Sequence, residues 1–231
     1  MMNRLLRHGV HCLAASCYPQ DISCHACGQP ALTTGERWLC ARCQNLLAEE
    51  QLSPAEQPFF LDDLIPCSLA AYRHDGVARH LVRRLKYGDD RWAALPLAEG
   101  MVRTMVLAPG GVSDGMDLLI PVPLHPKRER QRGYNQALAL ARQLAFHTGI
   151  ALCPEALRRI RHTLSQVGGT KEQRRRNMLG AFEVVNPSLV YRRRVLLLDD
   201  VCTTGSTAVA CAQSLLACGS ADVTLITACK A

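Results

Sequence analysis

The stretch Val195-Leu196-Leu197-Leu198-Asp199-Asp200-Val201-Cys202-Thr203-Thr204-Gly205-Ser206-Thr207 decides how the chain reads. Val195–Asp199 is short and rich in aliphatics, the composition of a strand buried on both faces of a parallel sheet. A Thr/Gly loop follows, then a helix predicted from about Ser206 to Ala217 with Gly219 as its C-cap. Open α/β sheets take ligands at the carboxyl ends of their strands. That end carries Asp199 and Asp200 here, and then Thr203, Thr204, Gly205, Ser206 and Thr207. N–H groups at a helix start point outward unpaired and favour an anion. Gly205 permits close approach, and the hydroxyls can donate to phosphate oxygens. Two acids would repel a phosphate unless they accept hydrogen bonds from sugar hydroxyls, directly or through a metal ion. The pattern therefore predicts a site for a phosphorylated ribose spanning Asp199, Asp200, Val201, Cys202, Thr203, Thr204, Gly205, Ser206 and Thr207. Helix capping alone would need one of these side chains, not two acids and four hydroxyls. No GxxxxGK[ST] run is present, so a Walker-type nucleotide site is not indicated.

Outward from this stretch, strand and helix patterns alternate. Cys67–Arg73, Asp117–Val122 and Asp222–Ala228 read as strands. Gly76–Tyr87 reads as a helix, with Val77, Leu81, Val82 and Leu85 inward and Arg79, Arg83, Arg84 and Lys86 outward. Arg91–Leu107 is a second helix with Pro96 near a start or a break. Gln136–His147 is a third, with Leu138, Ala141, Leu144 and Ala145 as its buried face. Such alternation predicts an α/β fold with a parallel sheet flanked by helices over residues 63–231. Residues 51–62 are polar, carry Pro54 and Pro58, and read as a linker.

The chain has 231 residues, 48% hydrophobic and 20% charged, with a formal charge of +7. That allows one ordinary domain with a small attachment. The excess of positive charge suits an acidic partner, phosphorylated small molecule or nucleic acid alike. No run reaches the roughly 18 apolar residues of a membrane helix. Arg4 and Arg7 before Leu13-Ala14-Ala15-Ser16-Cys17 resemble an export signal only faintly, because His8, Gly9 and His11 interrupt the apolar run. The expectation is a short amphipathic helix and a cytoplasmic protein.

Twelve cysteines are present, and four form two CxxC pairs: Cys24-His25-Ala26-Cys27 and Cys40-Ala41-Arg42-Cys43, 12 residues apart. Two such pairs can converge tetrahedrally on zinc. Residues 1–50 are therefore expected to hold a zinc-ribbon-like module with a structural Zn2+ on Cys24, Cys27, Cys40 and Cys43. His25 is a further conceivable ligand. A redox CxxC would need only one pair.

The Val195–Thr207 stretch resembles the signature loop of type I phosphoribosyltransferases. Leu85-Lys86-Tyr87-Gly88-Asp89, Pro121-Val122-Pro123-Leu124-His125, Arg132-Gly133-Tyr134-Asn135-Gln136, Thr163-x-x-Gln166 and Arg176-Asn177-x-x-Gly180-Ala181-Phe182 together resemble the ComF/GntX family. The resemblance implies a type I phosphoribosyltransferase-like domain behind an N-terminal double zinc ribbon. It also implies a role in competence or use of external DNA. On that resemblance the paired acids hold ribose hydroxyls with Mg2+, and the Thr/Gly loop holds the 5′-phosphate of phosphoribosyl pyrophosphate. The basic loop after Asp117–Val122 would grip pyrophosphate through Pro123, Lys127, Arg128, Arg132 and Gln136. A hood carrying Gln166, Arg174 and Asn177 would cover the substrate.

Three functional classes stay open on the sequence. One is a pentosyl-transferring enzyme, a glycosyltransferase by reaction type, whose catalytic residue no motif announces. Another is a DNA-handling protein that binds single strands, reusing the phosphate sites for the strand backbone, with proteins of DNA uptake as partners. The last is a regulator that senses a phosphoribosyl ligand or nucleotide without chemistry.

Overall fold

The computed structural model describes residues 23–29, 38–87, 90–108, 112–161 and 180–231. The expected N-terminal helix and the hood residues Gln166, Arg174 and Asn177 lie outside the described residues. In chain order the elements are α1 (Ala41–Glu49), β1 (Ser68–Arg73), α2 (Gly76–Tyr87), α3 (Ala94–Leu107), β2 (Leu118–Pro121), α4 (Pro126–Arg132) and α5 (Gln136–Thr148). There follow β3 (Ala151–Leu152), β4 (Leu157–Arg159), β5 (Phe182–Val184), α6 (Pro187–Val190), β6 (Arg194–Cys202), α7 (Ser206–Ala217) and β7 (Asp222–Lys230).

Five strands form one parallel sheet in the order β1-β7-β6-β2-β3, and β4 and β5 pair antiparallel outside it. The chain leaves β2 for β3 on one side and β6 for β7 on the other. The topological switch therefore lies between the carboxyl ends of β2 and β6, where a ligand crevice opens in such sheets. At that point the Val122 N–H donates to the Leu198 carbonyl at 2.8 Å.

Alternation along β6 divides the core. Leu196 and Leu198 face a cluster built with α2, α3, α5 and the cysteine segment, including Cys24, Leu39, Cys43 and Leu47. Val195 and Leu197 face a second cluster built with α7, β5 and Ile65. Strand residues one apart point to opposite faces, so Asp199 belongs to the α7 side and Asp200 to the α2 side.

Helix α2 does not return down a sheet face. The Glu50 carboxylate accepts from the N–H groups of Val77 and Ala78 at its start, at 2.8 and 2.7 Å. Its last turn meets the Tyr134 hydroxyl, which donates to the Leu85 carbonyl at 2.6 Å. It thus runs across the carboxyl edge of the sheet, from the end of β1 to the start of α5. Two of the four cations expected to face solvent are paired instead: Arg84 with Asp90 and Lys86 with Asp200.

Several boundaries and faces differ from expectation. β6 runs to Cys202, because Val201 and Cys202 still pair with Cys229 and Lys230 of β7. On α5 the covered residues are Gln136, Ala137, Leu140, Ala141 and Leu144, while Leu138 and Ala145 are half-buried. The helix turns this way because Asn135 caps its first turn and donates from Nδ2 to the Val122 carbonyl at 3.0 Å. The basic run after β2 is not a loop but the short helix α4, with the His125 ring nitrogen accepting from the Lys127 N–H.

Residues 51–62, which read as a linker, lie along β1. The Leu52 N–H donates to the Ala71 carbonyl, Phe59 and Ser68 exchange backbone hydrogen bonds, and the Gln57 amide clasps the backbone of Ala70. The two prolines and the polar residues concealed this, although Leu52 is buried and Phe59 and Leu61 pack against the core.

Candidate phosphate and ribose site

The loop after β6 borders a concavity open to solvent, lined by Asp199, Val201, Cys202, Thr203, Thr204, Gly205, Ser206, Thr207 and Thr227 among others. Gly205 is the N-cap of α7 at φ +71°, and no side chain caps that helix. Its first N–H groups thus face the concavity without a capping acceptor, the condition under which a helix start attracts an anion. The Thr204 and Ser206 hydroxyls lie 2.9 Å apart. Leu61 presses against Gly205 where a Cβ would stand, so both the backbone conformation and the available space demand glycine.

The two acids are placed differently. Asp199 lines the concavity, and its Oδ1 accepts from the Asp200 N–H at 2.9 Å. Burial pushes its carboxyl up to about 7, and the neighbouring Asp200 charge acts in the same direction. Asp200 lies outside that lining, buried on the opposite face, with Oδ2 3.1 Å from Lys86 Nζ. Of the two acids, Asp199 lines the concavity and Asp200 does not. Alternation within an unexpectedly long β6 sends Asp200 the other way.

Pro123, Lys127, Arg128, Arg132 and Gln136 also lie outside that lining. Lys127 is exposed on α4. Arg132 donates to Gln136 Oε1 at 3.0 Å and lies 5.5 Å over the Tyr87 ring. Arg128 is half-buried, and its charge acts on Arg159. Burial lowers the Arg159 guanidinium below its ordinary value first, Arg128 adds to that, and Asp199 opposes it. Arg159 is thus a buried cation, 5.5 Å over the Phe182 ring, on which the charges of both Asp199 and Arg128 act. A period-two reading of Leu157-Arg158-Arg159 would have found it, because Arg159 shares the covered side of Leu157.

The four cysteines meet as expected. The sulfurs of Cys24, Cys27, Cys40 and Cys43 all lie within 4.8 Å of one another, with Cys27 and Cys40 at 3.9 Å. A tetrahedral zinc with bonds of about 2.3 Å needs sulfurs about 3.8 Å apart, so the set fits that ion. Burial opposes ionisation of the Cys24 thiol, but backbone donors of Cys27, Cys40 and Ala26 prevail and lower it to about 6. Burial raises Cys43, and its three thiol neighbours add to that. Only one four-cysteine cluster is present among the described residues, and a double ribbon is not shown.

His25 is not a fifth candidate. Its Nδ1 is 2.9 Å from Asp90 Oδ2, and Asp90 also binds Arg84 at 3.0 Å and caps the turn at Trp92 and Ala93. Trp38 stacks on Trp92 at 5.2 Å, and the cysteine segment shares a core cluster with the sheet. The group of close ligand atoms holds the four sulfurs and no nitrogen of His25, whose ring instead ties the cysteine segment to α2 through Asp90 and Arg84.

No family model matches the sequence. It is 37% identical to Competence protein F of Haemophilus influenzae over 133 residues, 55% of this chain and 56% of that protein. It is 30% identical to DNA utilization protein YhgH of Salmonella typhi over 232 residues, 96% of this chain and 90% of that protein. The chain belongs to the ComF/YhgH DNA-utilization family. Against the YhgH protein of Escherichia coli K12 the match is 36% over 114 residues and spans about half the length of each chain (49%). Among solved structures, this ComF/YhgH chain is similar to glutamine phosphoribosylpyrophosphate amidotransferase from B. subtilis, with a TM-score of 0.43 and 16% identity over 64% of this chain and 30% of that one. A hypoxanthine phosphoribosyltransferase from Staphylococcus aureus gives a TM-score of 0.32 and 12% identity over 61% and 62%. At such scores these likenesses add nothing to the strand order itself. No described helix is long and apolar enough to cross a membrane.

Proposed function

We propose that this ComF/YhgH protein binds phosphoribosyl pyrophosphate with Mg2+ at the β6–α7 loop and serves competence or the use of external DNA. The observation that carries this reading is the uncapped start of α7 opening on a hydroxyl-lined concavity beside Asp199. Thr203, Thr204, Ser206 and Thr207 would hold the 5′-phosphate with the backbone N–H groups of the loop. Asp199, once ionised, would accept from a ribose hydroxyl or bind the cation, with Asp200 completing the pair. Arg128 and Arg159 are the cations best placed for the pyrophosphate end. Bound Mg2+ would neutralise pyrophosphate charge and so stabilise its departure.

If the protein transfers the pentosyl group, the bond from C1′ to pyrophosphate breaks and a new bond forms from C1′ to a nitrogen of the acceptor. The division into a module at 1–50, a connection at 51–62 and a transferase-like domain at 63–231 belongs to this proposal, as does a cytoplasmic location. So do hood roles for Gln166, Arg174 and Asn177. Isotope-labelled phosphoribosyl pyrophosphate incubated with Mg2+ and a panel of nucleobases tests the chemistry. Pyrophosphate release coupled to nucleotide formation marks the enzyme; binding without release marks a ligand-sensing regulator.

A second reading, binding of single-stranded DNA, is favoured by a strip of aromatic and cationic side chains. Trp38 and Trp92 stack at 5.2 Å, Arg91 lies 4.8 Å over Tyr134, and Arg132 lies 5.5 Å over Tyr87, which is 76% exposed. Bases stack on such rings while the guanidinium groups meet the backbone phosphates.

A further inference from the structure

We infer that Lys86 is a positioning residue of the ligand site, holding the Asp200 carboxylate by one oxygen so that the other is presented to the sugar or its cation. The inference rests on the phosphoribosyl reading and names a residue for which that reading has no role.

The geometry begins with α2. A helix that follows a parallel strand ordinarily runs back along the sheet face, which would carry its last turn to the amino edge. Here Glu50 holds the start of α2 and the Tyr134 hydroxyl holds its end, and the helix lies across the carboxyl edge. Lys86 therefore arrives at the ends of the strands. Its Nζ is 3.1 Å from Asp200 Oδ2, and the two side chains are 23% and 12% exposed. Surface lysines of that length rarely hold one position, because fixing the side chain costs rotamer entropy. This one is enclosed: Leu85 before it is fully buried, and His74, at the end of β1, lies close enough for both Lys86 and Asp200 to act on its ring. Burial lowers His74, and the Lys86 and Arg79 charges reinforce this.

Asp200 has its own reason to need a partner. It is buried at the carboxyl end of β6, on its α2 side and next to the Asp199 that lines the concavity, where an unpaired carboxylate is costly. Lys86 meets Oδ2, and among the described residues no other cation pairs with this carboxylate. An ammonium is a point charge with three rotating donors, so it can hold a carboxylate while that group turns to a second partner. The same helix carries Arg84, which binds the Asp90–His25 pair of the cysteine segment. Lys86 is thus anchored from both ends of its helix, as a residue that aims another must be.

The experiment is calorimetry of Mg2+–phosphoribosyl pyrophosphate on the full chain and on Lys86→Met, Lys86→Arg, Asp200→Asn, the double variant Lys86→Met/Asp200→Asn, and Arg83→Met, an exposed cation of the same helix. Lys86→Met should weaken binding roughly tenfold or more, the scale of a lost charged hydrogen bond. Lys86→Arg should recover most of that loss, and Arg83→Met should match the parent. The double variant should bind no worse than Asp200→Asn alone, since Lys86 acts through that carboxylate. Additive losses in the double variant, or parent-like binding by Lys86→Met, would overturn the inference. Melting temperatures measured alongside separate a loss of aim from a loss of fold. Absence of binding by the parent chain would defeat the phosphoribosyl reading itself. The inference would then fall with it, by a result distinct from either of those.

Discussion

Asp199 and Asp200 adjoin on β6 but serve opposite faces of the sheet, Asp199 lining the hydroxyl concavity and Asp200 standing 3.1 Å from Lys86 Nζ. Their titrations should differ accordingly. Burial and the Asp200 charge hold the Asp199 proton up to about 7, against an ordinary value of 3.8. Between those values the folded chain binds more protons than the unfolded one, so this group makes stability fall as pH rises through the window. Asp199→Asn removes that contribution. The melting temperature of the variant minus that of the parent should increase from about pH 4 to about pH 7 and level off above. A difference that stays constant across the window would refute the assignment.

Gly205→Ala tests the backbone of the loop. It forces a side chain into a left-handed conformation and against Leu61. Denaturant titration should show a loss of about 1–3 kcal/mol. Adding Leu61→Ala should not restore the parent, because the backbone term survives removal of the clash. Full restoration would mean that crowding alone requires glycine there.

The cysteine site should hold one Zn2+ per chain. Cys43→Ser should lose the metal and lower the melting temperature, since binding energy here is folding energy. His25→Ala should keep the metal but also destabilise the chain, because a buried Asp90 loses a donor. Metal analysis of the purified variants decides it: loss of zinc from His25→Ala would make the ring a ligand after all.

Much of this was legible in the sequence. Helices α2 and α7 begin and end where the apolar spacing, Tyr87 and the Ser206–Gly219 segment place them. The CxxC spacing announced the cluster of four cysteines, and the Thr/Gly loop stands where the concavity at the start of α7 lies. Other features depend on contacts between residues far apart in the chain. Nothing local says that α2 crosses the sheet edge, since Glu50 and Tyr134 decide that from opposite directions. His25 sits between two ligands, and only Asp90, 65 positions away, shows that it serves the interface. Residues 51–62 looked like a linker because backbone pairing to β1 leaves no mark on composition.

The aromatic strip makes a separate claim. Trp92→Ala and Arg91→Ala should each weaken single-stranded DNA binding, by about 1–3 kcal/mol for the lost stacking residue. Arg91→Ala should also flatten the dependence on salt. Fluorescence anisotropy with a labelled oligonucleotide measures both. Unchanged affinity in both variants would place any DNA contact elsewhere.

The central claim is that the β6–α7 loop takes a phosphorylated ribose, and calorimetry of phosphoribosyl pyrophosphate with and without Mg2+ tests it most directly. Saturable binding at one site per chain, dependent on Mg2+, stronger above pH 7 than below and lost in Asp199→Asn, is the predicted result. No heat from the parent chain at any pH, or equal binding by Asp199→Asn, would contradict it.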